Sequence, residues 1–166
     1  MFKLTYLIIF ILLSSCITQN KNTLTYQSLR EMKISSATKE DIINKFGQPN
    51  EIDNRDGTDQ ALIYNDKETK YQRASIYINT TTNLLDRYMW IPIEGEKESK
   101  LDGATSSFGQ TSFIELPDIY SLPCHISSIA RIRDEKNGIS IMYNKNTKDV
   151  DAIGYSGNQE RSTSSQ

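Results

Sequence analysis

Three kinds of hydrophobic spacing follow one another along this chain. An unbroken apolar run, Leu7-Ile8-Ile9-Phe10-Ile11-Leu12-Leu13, comes first; helical spacing follows between residues 29 and 46; twofold alternation takes over from residue 62. The helical part is best specified between Ser36 and Pro49. Thr38 stands where a hydroxyl can cap free N–H groups, Asp41 completes a capping box, and Glu40 suits the positive end of the helix dipole. Ile42, Ile43 and Phe46 then make one apolar stripe. Gly47 suits the left-handed residue after the last turn, and Pro49 forbids continuation. The spacing predicts a two-turn helix from Lys39 to Phe46. So short a helix is not stable alone, and its stripe must pack on a sheet. Leu29 and Met32, three apart, mark the inner face of another short helix ending near Lys33.

Beyond residue 60 the period falls to two. Leu62-Ile63-Tyr64 is a short strand, Ala74 to Asn79 alternates, and Leu85 to Ile91 is rich in strand formers. Asn79-Thr80-Thr81-Thr82-Asn83 is a loop of residues that bond their own backbone, so a three-stranded antiparallel meander is expected. Ile139 to Asn144 and Val150 to Tyr155 form a further hairpin around a polar turn. Aligning Ala74 to Trp90 with Ile139 to Tyr155 without gaps superposes Ser75 on Ser140, Ile76 on Ile141, Asn79 on Asn144, Thr82 on Thr147 and Asp86 on Asp151. Tandem αβ halves at 26–92 and 101–155 are therefore an expectation. The second helix is its weak point. Residues 104–110 echo the first helix motif without room for two turns, whereas Ile126, Ile129 and Ala130 offer helical spacing after Pro123. Residues 94–110 have no period and suggest a long exposed connection. The polar stretch 16–25 is a tether, and 156–166 has too little apolar content to fold. The expected fold class is α+β: a short helix pair packed on an antiparallel β-sheet, one domain over 26–155.

The leader adds an address. Lys3, the apolar run and then Ser14-Ser15-Cys16 are too short for a membrane span, which needs about 20 apolar residues, and end in small side chains. This segment resembles a bacterial lipoprotein signal peptide ending in a lipobox. The resemblance implies removal of 1–15 and covalent acyl lipid, palmitate included, on Cys16, with no other cofactor. Each buried CH₂ of such lipid contributes about 0.8 kcal/mol, so several chains hold the domain at a membrane. Ile17 follows Cys16 where an aspartate does not, which by similarity to Gram-negative sorting implies the outer membrane, facing the periplasm. The alternative is a cleaved secretory signal with Cys16 there by chance.

Thr38, Ile42, Phe46, Gly47 and Pro49 form the pattern Thr-x-x-x-Ile-x-x-x-Phe-Gly-x-Pro. It resembles the signature of the SmpA/BamE outer-membrane lipoproteins, shared with the wider group of domains that fold like β-lactamase inhibitor protein (BLIP). Ser36 stands where those families carry glycine. The resemblance implies a non-enzymatic, protein-binding accessory in the envelope, partnered with the β-barrel assembly machinery or serving envelope integrity. The motif residues would then be structural. Two alternatives stay open: a protein inhibitor of a secreted or periplasmic enzyme, and an orphan surface lipoprotein of species-specific role.

Charge and reactive residues narrow the classes further. Lys and Arg number 19 against 21 Asp and Glu, for a net charge of −2, which is no footprint of a nucleic-acid binder. Of 2 cysteines, lipid on Cys16 leaves Cys124 without an intramolecular partner. Cys124 and His125 are adjacent and in a strand would face opposite sides, so they are no catalytic dyad. One His and one spare Cys make no zinc set. No phosphate loop or nucleophile elbow is present, so no enzyme is expected. Asp53, Asp56 and Asp59 around Gly57 approach calcium-loop spacing but lack the later bidentate Glu, and suggest a turn. Tyr64, Tyr71, Tyr77, Tyr88, Trp90, Tyr120, Tyr143 and Tyr155 lie in or beside strands. They either pack across strands or present a binding platform, for which Tyr77, Tyr88 and Trp90 are the candidates.

Cys16→Ala should shift the protein from the membrane to the soluble fraction on cell fractionation. Membrane retention of that variant would overturn the lipid-anchor expectation.

Overall fold

The twofold alternation becomes a single eight-stranded antiparallel sheet with short helices, an α+β fold. The computed structural model describes residues 23–54, 57–109, 112–116 and 128–157. Cys16, Asp56, Tyr120, Cys124, His125 and Ile126, on which parts of the sequence reading rest, lie outside them. Strands β1 (Glu51–Asp53), β2 (Asp59–Asn65), β3 (Gln72–Asn79) and β4 (Leu84–Trp90) form one meander; β5 (Ile114–Leu116), β6 (Ile129–Asp134), β7 (Ile139–Asn144) and β8 (Val150–Tyr155) form another. The two join through their last strands, giving the order β1-β2-β3-β4-β8-β7-β6-β5. At that seam Tyr88 faces Tyr155, Met89 faces Gly154 and Trp90 faces Ile153.

Helix α1 spans Tyr26–Arg30 and α2 spans Lys39–Phe46. The caps read from sequence are in place. Thr38 Oγ1 accepts from the Asp41 N–H at 3.1 Å, while the Asp41 carboxylate accepts from the Thr38 N–H at 2.9 Å. Gly47 sits at φ 90, and its N–H donates to the Ile43 carbonyl at 2.8 Å. Ile42 is completely buried and Phe46 half-buried, its ring edge-on to Tyr64 at 6.3 Å. The Tyr64 hydroxyl donates to the Gly47 carbonyl at 3.0 Å, and burial pushes that phenol up to about 12. The stop signal after α2 is thereby tied to β2. Helix α1 is shorter than predicted: Met32 is buried in the turn beyond it.

Both helices lie on one sheet face, where Tyr26, Leu29 and Ile42 share a core with Leu62, Ile76, Ile78, Leu85, Trp90, Ile141 and Ile153. Residues 94–109 are not an irregular connection, though many of them are exposed. They hold a 3₁₀ turn (Lys97–Ser99) and helix α3 (Leu101–Ser106), whose Ala104 is completely buried. A methyl on Gly103 would come within 1.9 Å of the Lys97 carbonyl oxygen, so glycine lets turn and helix close on each other. Ile129 and Ala130 belong to β6 and not to a helix: Ala130 and Asp134 turn inward while Ile129 and Arg131 turn out. At the margins, Leu24 and Thr25 belong to the fold, one packed on the core and one capping α1. Ser156 does too, its N–H donating to the Gly138 carbonyl at 2.9 Å.

The halves share local detail. Asn79 Oδ1 accepts from the N–H groups of Thr81 and Thr82, both at 3.0 Å; Asn144 Oδ1 accepts from those of Asn146 at 2.9 Å and Thr147 at 3.2 Å. Each turn ends in a left-handed residue, Asn83 at φ 57 and Lys148 at φ 60. Register shifts follow Tyr77 in β3 and Met142 in β7. The residues capping α2 and α3, Thr38 and Lys100, each form a lone bridge to the start of the last strand, at Leu84 and Asp149.

Ile42→Ala should cost about 2–5 kcal/mol of stability, and Thr38→Ala about 1 kcal/mol, both read from denaturant unfolding. A smaller loss at Ile42 than at Thr38 would show that the α2 stripe does not carry the packing.

Candidate functional site

Residues that alternate with core residues along the paired stretches point to the opposite sheet face, which no helix of the described residues covers. Strand pairing aligns one row across all eight strands: Glu51, Ile63, Ser75, Met89, Gly154, Ser140, Arg133 and Ile114. A parallel row on the second half runs Ala152, Met142, Arg131, Leu116. Small side chains at the centre leave hollows between the larger ones. One of about 310 Å³ lies over β1 to β4, lined by Asp53, Asp59, Ala61, Ile63, Ser75, Tyr77 and Met89 among others. A second, of about 460 Å³, lies over β4 to β8, where Arg131, Arg133, Ser140, Met142 and Gly154 line it. Tyr77 and Met89 border both and form the wall between them.

Charge on this face is divided unevenly. Arg87 is held by Asp59 at 2.8 Å and Asp86 at 2.6 Å, and its guanidinium lies 4.5 Å over the Tyr77 ring. Arg87 is thus fully met by carboxylates, which leave the first half of this face with no uncompensated cation among the described residues. Among the described residues no carboxylate pairs with Arg131 or Arg133; the nearby Glu115 reaches Lys145 at 3.9 Å instead. No group of three His, Cys, Asp or Glu side chains among the described residues is placed to hold a metal.

Only one of the three platform candidates lies on this face. Tyr77 does; Tyr88 and Trp90 are 2% and 0% exposed and lie in the core. Register explains the correction: Tyr88 stands opposite Ile76 and Trp90 opposite Ala74, which face the helices, whereas Tyr77 stands opposite Arg87. Tyr88 packs on Tyr155 at 5.4 Å, and Trp90 on Tyr26 at 6.1 Å. Over the Trp90 ring at 4.3 Å lies the guanidinium of Arg73, a buried cation paired with Glu96 and donating to the Ile91 carbonyl at 2.8 Å. The motif residues Thr38, Ile42, Phe46, Gly47 and Pro49 are all at α2, away from the open face. Asp53 and Asp59 line the smaller hollow, with Asp59 engaged by Arg87. Comparison of the chain with protein-family models, curated proteins and solved structures returns no match.

Asp134 holds the arginine-bearing strand in place. At 1% exposed, it accepts from the Asn137 N–H at 3.0 Å, the Asn137 side-chain amide at 2.8 Å and the Ser112 N–H at 3.1 Å. These bonds close the β6–β7 hairpin and fix the approach to β5. Burial raises the carboxyl's pKa, but the donors from Asn137, Ser112 and Lys136 outweigh it and hold the group below its ordinary value. A depressed carboxyl stabilises the fold above its unfolded pKa of about 3.9 and loses that contribution as pH falls through the folded value. The melting temperature of the wild type should therefore fall more steeply below about pH 4 than that of Asp134→Asn, which should melt lower at neutral pH. Parallel curves would show that Asp134 does not carry acid sensitivity.

Proposed function

We propose that this chain is a lipid-anchored, non-enzymatic envelope protein at the outer membrane, facing the periplasm, that binds another protein on the helix-free face of its sheet. The carrying observation is the row that crosses all eight strands, with Met89 among the small residues Ser75, Gly154 and Ser140 at its centre and Tyr77 and Met142 beside it. Eight strands give a face roughly 34 Å wide, enough for the ~800 Å² per partner of a standard interface. Methionine adapts its shape to a partner, and tyrosine offers a large rigid contact. Met142 remains 39% exposed there.

In this reading the fold is a tandem αβ repeat similar to the BLIP group. The matched Asn79 and Asn144 turns, the register shifts after Tyr77 and Met142, and the bridges from the capping residues of α2 and α3 support it. The motif at α2 supports kinship in role with SmpA/BamE lipoproteins, an accessory to outer-membrane protein assembly. An enzyme inhibitor would use the same face, with a partner loop entering the hollow beside Met89.

The test is a pull-down of C-terminally tagged protein from gently solubilised envelopes, with M89E/M142E as the face variant and Cys16→Ala as the anchor variant. Barrel-assembly components should be captured by the wild type and lost from M89E/M142E. Capture of a single soluble enzyme, whose activity falls stoichiometrically with added protein, would select the inhibitor reading. Capture unaffected by M89E/M142E would remove the open face from the role.

A further inference from the structure

We infer that the half of the open face built by β5 to β8 takes an extended acidic segment of a partner protein, its carboxylates seated on Arg131 and Arg133. The inference rests on the reading of this face as a docking surface and names the partner's chemistry. Arg131 and Arg133 are two residues apart on β6, so both side chains leave the same face, about 6.8 Å apart along the strand. Same-face side chains of an extended peptide have that spacing too, so two acidic residues separated by one other match the pair. Guanidinium groups bind carboxylates through two parallel hydrogen bonds, which fixes direction as well as charge.

Charge complementarity is specific to this half. The chain as a whole carries −2, and Arg87 is neutralised by Asp59 and Asp86, yet Arg131 and Arg133 have no ion-pair partner among the described residues. Their cross-strand neighbours are apolar or small: Leu116 and Met142 flank Arg131, and Ile114 and Ser140 flank Arg133. Those flanks suit a peptide with apolar side chains between its carboxylates better than a bare anion. A hollow of about 460 Å³ does not conform to a flat lipid surface. Stacking of nucleobases is poorly served as well, because Tyr77, the ring bordering the hollow from β3, is already covered by Arg87.

The experiment is selection from a displayed library of random linear peptides, with the full chain as bait and the bound pool sequenced. The wild type should enrich peptides carrying Asp or Glu two positions apart beside apolar residues. R131E/R133E should reverse the preference towards Lys and Arg, and a selected acidic peptide should bind it at least tenfold more weakly. Melting curves establish that the variant is folded; should the double variant not fold, Arg131→Glu at the exposed position replaces it. Acidic enrichment unchanged by the charge reversal would overturn the assignment. Enrichment without acidic preference, lost in M89E/M142E, would overturn it while leaving the docking face standing. Failure to capture any linear peptide would also overturn it, and the envelope pull-down then decides the docking face separately. Concentration-dependent dimerisation of the wild type, abolished by R131E/R133E, would assign the arginines to a second copy of this chain and overturn the partner named here.

Discussion

The pairing of β4 with β8 is the constraint on which the rest of the molecule depends. Without it each meander would end in an apolar edge, Tyr88 and Trp90 on one and Ile153 and Tyr155 on the other, with unpaired backbone groups alongside. The join is short, three residue pairs, yet it works on both faces at once. Toward the helices it stacks Tyr88 on Tyr155 and places Trp90 opposite Ile153; away from them it sets Met89 beside Gly154. A methyl on Gly154 would come 2.7 Å from Ser140 Oγ, so the glycine at the seam is also the residue that keeps β8 close to β7 and lines the larger hollow. Strands this far apart in sequence meet only after a large loop is closed, so the seam carries the largest closure cost among the strand pairings.

Helices of five, eight and six residues cannot be stable by propensity alone, and each survives by a specific attachment. Capping boxes at Thr25 and Thr38 satisfy the first N–H groups of α1 and α2, and Tyr64 fastens the end of α2 to β2. The third helix has no side-chain cap; it is held by the closeness of Gly103 to Lys97, and the segment before it by Glu96 bound to Arg73. Arg73 is buried at the register shift between β2 and β3, where strict alternation from Ala74, Ile76 and Ile78 would have turned it to the open face. Its charge is met by Glu96, its remaining donors by the Ile91 carbonyl, and its flat face by the Trp90 ring.

What the sequence discloses follows from how local each signal is. Helix α2 and the pairs β3–β4 and β7–β8 are legible because caps, twofold alternation and Asn-rich turns act within a few residues. Strands β1 and β5 are three residues long, too short for any period. In β6 the inward positions are Ala130, Ile132 and Asp134, of which only Ile132 is a large apolar residue, so alternation is masked, and the chance spacing of Ile126, Ile129 and Ala130 imitates a helix. Helix α3 buries one alanine and shows no stripe. The aromatic platform fails for another reason: nearness in sequence does not make a shared face, and only strand register reveals that Tyr77 points away from Tyr88 and Trp90. The groove is the least legible feature, since it depends on the seam bringing Gly154 and Ser140 between residues of separate halves.

The two faces therefore divide the work in a way that separates kinship from specificity. Thr38, Ile42, Phe46, Gly47 and Pro49 build the helical layer and can resemble a family signature without touching any partner. Gly154 apart, the open row from Glu51 to Ile114 contributes little to the core, and its composition can change without disturbing caps or stripe. Two proteins alike in the α2 motif can thus differ completely in what they hold, and the motif reports architecture before it reports role. Topology also suits an anchored form: the chain enters the fold at Leu24 and α1, on the helical side. On the proposed reading, an anchor at that end would leave the opposite face unobstructed, so attachment and capture would not compete for the same surface.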